Sequence, residues 1–192
     1  ILGVVPIGTG SDFRRSLGAP DDLDQALGLV ANGPVREIDV GHVTLTTSSG
    51  PHTERFINVA GFGANGEVVR QANQMNKRMG GKVTFFRASL KATLSYSPAE
   101  VALKWTDGGD AEHTWQGPVF SVFVGNGAYC GGGMWVGKGG SLNDGLFDVS
   151  IIPPSGIASQ LLQVRRLYDG SLSAWPGVRL FRAKQIEVRA IS

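Results

Sequence analysis

The residues Gly8-Thr9-Gly10, followed closely by Asp12, have the types and spacing of a phosphate-binding turn. The apolar residues 3–7 precede them and predict a buried strand that leads into the turn. Glycine lets backbone N–H groups approach phosphate oxygens, and the Thr9 hydroxyl adds a donor. The segment matches neither G-x-x-x-x-G-K-[ST] nor G-x-G-x-x-G. A tight strand-to-helix turn that binds nothing therefore stays open as the alternative.

A second candidate is the glycine-rich segment from Gly125 to Gly133, which follows an apolar run typical of a buried strand. Five of its nine residues are glycine, so it carries little side-chain bulk. Such a loop lets a ligand or another backbone come close. A wide turn with bulges would have the same composition, and both interpretations stay open.

The third candidate is the sequence Asn143-Asp144-Gly145 within residues 141–148. The Asp144 carboxylate and nearby backbone carbonyls are hard oxygen ligands of the kind that Mg²⁺ prefers. Asn-Asp-Gly is also an ordinary turn sequence. The spacing alone is therefore compatible with a turn as well as with a metal site.

Other common kinds of site lack support. His42, His52 and His113 share no ligand-type spacing with Cys130, which argues against a zinc site. There is no G-x-S-x-G segment, so Ser/His/Asp catalysis has no basis in the sequence. A net charge of +2 is too small to indicate nucleic-acid binding.

The composition predicts a globular, turn-rich domain. Hydrophobic residues make up 42% of the chain and charged residues 18%, and 28 glycines with 9 prolines favour a β-rich architecture. No apolar run approaches the roughly 18 residues that span a bilayer. The expected compartment is the cytoplasm, in agreement with a single cysteine, Cys130.

Positive charge is concentrated toward residues 151–192, where six Lys or Arg residues face two acidic ones. Such an excess can contact anionic lipid headgroups or phosphates. A solvated surface with scattered arginines would look the same, so this alternative stays open.

Apolar periodicity predicts helices over 23–30, 67–77 and 83–94, and a short helix from Ile157 that runs to Gly170. It predicts strands over 35–45, 56–60, 101–105, 119–124, 146–152 and 179–189. The expected fold class is α+β, mainly β: an antiparallel β domain with helical insertions over 34–192. Residues 1–33 are expected to be the edge of a neighbouring α/β nucleotide-binding domain.

The order of the motifs closely resembles the diacylglycerol kinase catalytic family, in particular bacterial lipid kinases related to sphingosine and ceramide kinases. Five ordered segments carry the resemblance, which covers nearly the whole chain: 2–18, 38–41, 56–63, 125–134 and 142–148. The family implies an α/β domain that binds ATP and a β-sandwich that helps to form the lipid site. The implied reaction moves the γ-phosphoryl group of ATP to a lipid hydroxyl with Mg²⁺.

The resemblance also implies roles for single residues. Gly8 and Thr9 are similar to the residues that touch the nucleotide, and Asp12 and Asp39 to members of an acidic, water-linked Mg²⁺ network. Another ion site is implied for the Asp144 carboxylate, with the carbonyls of Ser141 and Leu146. Ser11 departs from the family's usual asparagine, which puts the contact of that amide in doubt.

Two further family segments do not occur between Ile1 and Ser192: the Gly-Gly-Asp-Gly-Thr loop and an Asp-Gly-Glu segment with the catalytic base. The isolated chain is therefore expected to be inactive and its parent protein to be the kinase. The alternative is a non-catalytic lipid-binding or regulatory β-sandwich derived from such a kinase. The parent reading frame would discriminate between them.

The implied partners are a lipid substrate and the surface of a membrane, contacted peripherally. The lipid itself cannot be read from the residues, since several lipid alcohols need the same apolar slot and hydroxyl position. The oligomeric state is equally open, and a homodimer remains one alternative.

Overall fold

The computed structural model describes residues 1–8, 11–74, 81–137 and 139–191. Its helices are α1 Asp12–Leu17, α2 Leu23–Asn32, α3 Ala64–Gln74, α4 Gly81–Ser95 and α5 Ile157–Gln163. Its strands are β1 Gly41–Thr47, β2 Gly50–Phe56, β3 Val59–Gly63, β4 Ala99–Thr106, β5 Glu112–Val119, β6 Ser121–Gly125, β7 Tyr129–Cys130, β8 Met134–Trp135, β9 Phe147–Ile152, β10 Arg179–Ala183 and β11 Gln185–Ile191.

Two antiparallel sheets form the centre of the molecule. One has four strands in the order β10-β9-β6-β3, and the other has three in the order β11-β4-β5. The sheets face each other across one cluster of buried side chains, Val101, Leu103, Val119, Val122, Val149, Ile151 and Ala183. This arrangement confirms the predicted antiparallel β-sandwich with helical insertions.

The four-stranded sheet is covered on both faces. On β6, Val122 points into the cluster between the sheets, whereas its neighbour Phe123 belongs to a second cluster with Leu167, Leu172 and Trp175. The second cluster lies under the 3-10 turns Val164–Leu167 and Leu172–Ala174. An uninterrupted apolar run is typical of a strand buried on both faces. The burial expected for the apolar run 119–124 is therefore confirmed at β6.

Three predicted strands are divided where the chain passes from one sheet to another. The strand expected over 56–60 becomes the end of β2 at Phe56 and the start of β3 at Val59. The strand expected over 179–189 becomes β10 and β11, separated by Lys184, whose N–H donates to Thr106 O at 2.8 Å. The run 119–124 contains a similar crossing at Phe120, between β5 and β6. A crossing breaks strand pairing but not alternation, so a pattern of period two does not reveal it.

The strand predicted over 35–45 begins only at Gly41 and continues to Thr47. Residues 35–40 instead make isolated contacts with distant segments. The Arg36 guanidinium donates to Leu17 O at 3.1 Å, and the Asp39 N–H donates to Leu142 O at 2.7 Å. These partners lie at a helix end and in a loop, and residues 35–40 belong to none of the sheets.

The helices agree with the expected positions. Asp22 caps α2 by accepting from Gln25 N–H at 2.9 Å, as an acidic residue at a helix start should. α3 and α4 are found where predicted, although residues 75–77 of the first lie outside the described residues. The helix from Ile157 is shorter than expected, since α5 gives way to a 3-10 turn at Val164.

In the described part of the chain, no helix combines the length and apolar character needed to cross a membrane.

Leu103 provides a test of the core between the sheets. It is 2% exposed, so we expect Leu103→Ala to lower the free energy of unfolding by about 2–5 kcal/mol through lost burial and an unfilled cavity. Urea denaturation followed by circular dichroism measures the change. The matched control is Leu45→Ala, at a side chain that is 53% exposed, which should cost less than about 0.5 kcal/mol. Equal losses would contradict the assigned core.

Candidate functional site

Asn126 holds together segments that are distant in sequence. Its side chain is buried at the end of β6, and its amide donates to Asp39 O at 2.8 Å and to Ile57 O at 3.1 Å. Its own N–H and that of Gly127 both donate to Asn58 O, at 2.8 and 2.9 Å. The turn that follows β6 therefore holds the Asp39 segment against residues 57–58, which link β2 and β3.

Asn58 extends this network to the next part of the glycine-rich segment. Its amide donates to Tyr129 O at 2.9 Å, at the start of the small β7–β8 ribbon. The ribbon is anchored further by Val136 N–H, which donates to Ala128 O at 2.9 Å. The segment 125–136 is thus a folded loop with defined partners.

α1 packs against the other side of this loop. Ser16 Oγ accepts from Ala128 N–H at 3.1 Å, and Asp12 Oδ2 accepts from Gly132 N–H at 2.8 Å. The second oxygen of Asp12, Oδ1, lies 3.5 Å from Arg15 Nη1 and accepts no hydrogen bond within the described structure. The Asp12 side chain is only 13% exposed. One carboxylate oxygen therefore stays buried with unused acceptor capacity.

Two glycines explain why this loop lacks side chains. A Cβ on Gly127 would lie 2.2 Å from Asn58 Oδ1 and 2.8 Å from Ser16 Oγ. A Cβ on Gly133, which has a φ of +109°, would lie 2.2 Å from Arg15 Nη1. The neighbours of these two glycines are side chains, those of Asn58 and of Ser16 and Arg15 on α1, so the loop is approached closely by side chains and not by another backbone.

Asp39 is turned toward the 141–148 turn. Its Oδ2 accepts from Gly145 N–H at 2.7 Å, and its own N–H donates to Leu142 O at 2.7 Å. Since Asn126 binds the Asp39 carbonyl, the Asp39 segment lies between the glycine-rich loop and the turn. Asp12 and Asp39 therefore both contact the loop 125–136. Asp12 does so through its carboxylate and Asp39 through its backbone carbonyl.

Asp144 closes the turn and pairs with β10. Its carboxylate accepts from the N–H groups of Ser141 and Leu146, both at 3.2 Å, and forms an ion pair with Arg182. Burial acts to raise the pKa of Asp144, but the hydrogen bond and charge of Arg182, with the two N–H groups, lower it by more. The pKa lies below its usual value, so the carboxylate is ionised at neutral pH.

Arg182 also serves a deeper carboxylate. Its Nε lies 3.3 Å from Asp148 Oδ1, and the Asp148 side chain is 6% exposed. The other oxygen of Asp148 accepts from Gly140 N–H at 3.1 Å. Any cation at the predicted Ser141–Asp144–Leu146 site would therefore share Asp144 with a guanidinium. The ion site stays a prediction.

The buried strand predicted over residues 3–7 is wrong, because these residues form no strand and Ile7 is 79% exposed. The turn that follows them is described only in part. Gly8 is exposed and its carbonyl accepts from Ser11 Oγ at 3.2 Å, whereas Thr9 lies outside the described residues. Ser11 begins α1 with a φ of 51°, in the left-handed region. Asparagine enters that region more readily than serine. The asparagine that the resemblance implies at this position would therefore suit the backbone better than Ser11 does.

Several residues of the site carried no signal strong enough to name them in advance. Ser16, Asn58 and Asn126 are single polar residues beside apolar or glycine-rich segments, and only their three-dimensional pairing shows their role. Tyr168 is a further example. Burial raises the pKa of Tyr168, and electrostatic interactions with Cys130 and Asp12 add to the effect.

Cys130 lies in the loop 125–136. Burial, followed by the charge of Asp12, raises the pKa of its thiol to about 12. The thiol is therefore protonated at neutral pH and acts as an apolar side chain rather than a nucleophile.

A cavity of about 500 Å³ opens between the C-terminal end of α1 and the 140–143 segment. Its walls are formed by Ser16, Leu17, Arg36, Glu37, Ile38, Gly140, Ser141, Leu142 and Asn143. The volume is in the range of small-molecule sites. Since Ile38 precedes Asp39, the cavity adjoins the acidic segment.

Within the described ranges, no group of three or more His, Cys, Asp or Glu side chains could hold a metal ion. A metal here would depend on isolated carboxylates, carbonyl oxygens and water, which are usual ligands of Mg²⁺.

Two family models match the chain. The diacylglycerol kinase catalytic domain matches residues 1–43, and the YegS C-terminal NAD kinase beta sandwich-like domain matches residues 58–192. The loop network joins parts of both matched regions, because α1 and Asp39 lie in the first and Asn126 in the second. The boundary predicted at residue 33 stays a prediction.

Curated relatives and solved structures agree with these matches. The chain is 33% identical over 158 residues to a diacylglycerol kinase of Bacillus subtilis, covering 82% of this chain and 48% of the relative. It is 30% identical over 181 residues to the "Probable lipid kinase YegS" of Escherichia fergusonii, covering 91% and 56%. A crystal structure of a diacylglycerol kinase from Bacillus anthracis superposes with a TM-score of 0.63 at 22% identity, covering 96% of this chain and 56% of that one. The chain spans about half the length of the curated relatives it matches.

The Asn126 network can be tested by exchanging one atom. Asn126→Asp replaces the donating NH₂ group with an acceptor that faces the carbonyls of Asp39 and Ile57. We expect a loss of about 2–3 kcal/mol in the free energy of unfolding, because both carbonyls lose their donor in a buried place. Thermal and urea unfolding measure the change. The same exchange at exposed Asn32 should have little effect, and a small effect at Asn126 would contradict its central role.

Proposed function

The chain belongs to the family of the YegS C-terminal domain, whose model matches residues 58–192, and from this and the diacylglycerol kinase match over residues 1–43 we propose that the natural protein transfers the γ-phosphoryl group of ATP to a lipid hydroxyl. The observation that carries the proposal is the junction at Asn126. It positions Asp39 beside the same loop that receives Asp12, the two carboxylates that the family resemblance assigns to the acidic network.

Phosphoryl transfer needs little covalent chemistry from the protein. Its catalysis depends on holding the reactants in line and on neutralising charge on the transferred group. The hydrogen bonds from Gly132 to Asp12 and from Gly145 to Asp39 fix the position of each carboxylate. Preorganised oxygens of this kind do not have to rearrange during the reaction.

The residues present fit Mg²⁺ at the Asp12 end of the loop. Asp12 Oδ1 is buried and accepts no hydrogen bond in the described structure, so it can bind a hydrated cation directly or through water. When bound, Mg²⁺ would supply positive charge to the phosphate oxygens of ATP. Arg15 Nη1 lies 3.5 Å from the same oxygen, so the guanidinium would have to move away from Asp12 when Mg²⁺ binds.

Gly8 and Thr9 are proposed as contacts of the nucleotide phosphates, on the strength of the family resemblance. The exposed Gly8 leaves its backbone accessible from solvent, and a Cβ there would meet no atom within 4 Å. A glycine without such neighbours leaves room for a phosphate beside its backbone.

The proposed acceptor is a lipid alcohol that the protein reaches at a membrane surface without spanning the bilayer. The names of the relatives, diacylglycerol kinase and lipid kinase, support this class of acceptor. The isolated 192-residue chain is proposed to be inactive by itself, since it spans about half the length of those relatives.

Asp12→Asn in the natural full-length protein tests the proposed role of Asp12. Asparagine keeps an oxygen for Gly132 N–H but removes the charge that would hold Mg²⁺, so lipid phosphorylation from labelled ATP should fall by roughly 10–100-fold. The melting temperature should change little. The control Asp24→Asn alters an exposed carboxylate in the first turn of α2 and should retain activity.

The results separate two failures. Unchanged activity of the Asp12 variant would contradict the role of Asp12 alone. A natural protein that phosphorylates no lipid hydroxyl in the presence of Mg²⁺ and ATP would contradict the proposed function.

The predicted ion site at Asp144 has its own test. We expect added MgCl₂ to raise the melting temperature of the natural protein and to have no such effect on Asp144→Ala. The matched control is Asp110→Ala, which also removes the carboxylate partner of a cation, here Lys184, at an exposed position. An equal Mg²⁺ response in the natural protein and in Asp144→Ala would contradict the ion site.

A further inference from the structure

α5 is oriented opposite to an ordinary surface helix. Ile157, Ala158, Leu161 and Leu162 are exposed, and Leu162 keeps 74% of its exposed area. The face turned to the protein is polar, with Ser159, Gln160 and Gln163 half-buried or buried. A surface helix normally buries its apolar stripe and exposes its polar one.

The polar side of α5 has partners inside the protein. Gln160 is 5% exposed and donates to Pro153 O at 3.1 Å, and Gln163 accepts from Arg166. The orientation of α5 is therefore fixed by hydrogen bonds. Rotating α5 about its axis to bury the leucines would cost free energy, because the amides of Gln160 and Gln163 would lose their hydrogen-bond partners.

The apolar face of α5 continues into the segment that follows. Val164 in the 3-10 turn is 41% exposed, Arg165 is exposed, and Tyr168 is 55% exposed. α4 packs against α5 and adds exposed Leu90, Lys91 and Leu94. Leucines, cations and one tyrosine at the edge are the composition of a helix that lies in a membrane interface.

Charge favours a negatively charged partner. Neither α4 nor residues 157–168 contain Asp or Glu, whereas together they contain Lys82, Arg87, Lys91, Arg165 and Arg166. The first acidic residue beyond them, Asp169, accepts hydrogen bonds from Ser171 N–H and Oγ. An exposed apolar face with the exposed cations Lys91 and Arg165 beside it is complementary to the headgroup layer of an anionic bilayer.

We propose that the exposed face of α5, with the 3-10 turn that follows it, is the surface by which this protein lies on an anionic membrane, with Ile157, Leu161 and Leu162 inserted at the boundary between headgroups and acyl chains. The proposal rests on the proposed function, since a lipid kinase must meet its acceptor at a bilayer. It adds the element that makes the contact and the kind of lipid surface that it fits.

The surface and the candidate site are connected through a short stretch of chain. Leu167, the last residue of the 3-10 turn, belongs to the buried cluster against which Cys130 and Met134 of the loop pack. A bilayer that contacts α5 would therefore lie close to the site in which the lipid hydroxyl is phosphorylated.

Sedimentation with vesicles tests the surface directly. The natural full-length protein should bind vesicles of phosphatidylglycerol and phosphatidylcholine more tightly than vesicles of phosphatidylcholine alone. The variant L161S/L162S should lower the partition coefficient roughly tenfold or more, because two leucines lose their burial in lipid. Arg165→Gln should lower it roughly fivefold on the anionic vesicles only. The control Leu45→Ser changes an exposed leucine on β1 and should bind as the natural protein does.

A gain of signal protects the test against a variant that folds poorly. Leu162→Trp should show a blue shift of tryptophan emission when anionic vesicles are added. Vesicle binding of L161S/L162S equal to that of the natural protein, or no shift for Leu162→Trp, would overturn the proposal. A natural protein that is a dimer and becomes a monomer as L161S/L162S would also overturn it, since a second copy would then cover the face.

Activity separates this proposal from the proposed function. With a short-chain diacylglycerol dispersed as monomers, L161S/L162S should retain the rate of the natural protein, whereas with a long-chain acceptor in vesicles its rate should fall in parallel with binding. Loss of both rates to the same extent would overturn the assignment of the surface. A natural protein that phosphorylates neither acceptor but binds vesicles through Leu161 and Leu162 would contradict the proposed function and support the surface.

Discussion

A single buried amide, that of Asn126, joins the parts of the molecule on which any chemistry would depend. It lies at the end of a strand whose two faces are covered by separate cores, so its backbone has little freedom. From this fixed point the side chain reaches the carbonyls of Asp39 and Ile57. The sandwich acts here as a rigid base that holds loops in register, which is how loop residues on stable scaffolds acquire defined positions.

The sequence predicts the strands of the sandwich better than it predicts the hydrogen bonds around Asn126. Apolar alternation identifies β4 and β9 and the buried run of β6, because each strand satisfies its pattern locally. The crossings at Phe120 and Lys184 could not be predicted, since the alternation continues while the partner strand changes. The segment 35–40 shows the opposite case: it alternates as a strand would, yet its hydrogen bonds go to loops and helix ends.

The candidate site divides in the same way. Asp12, Asp39 and Asp144 could be named in advance only because their order resembles a family, and the structure then gives each carboxylate defined partners. Ser16, Asn58 and Arg182 could not, since their roles arise from neighbours at least 34 residues away in sequence. Polar residues of this kind have no periodicity that would distinguish them from ordinary surface or turn residues.

The order of strands in the smaller sheet has a consequence for the synthesis of the chain. β4 lies between β5 and β11, and β11 is made some 80 residues after β4. A growing chain can pair β4 with β5 at once through their hairpin, but one edge of β4 stays open until residues 185–191 emerge. An open edge is a template for pairing with other chains. The arrival of β11 therefore covers β4, and β11 takes its place as the edge strand of this sheet.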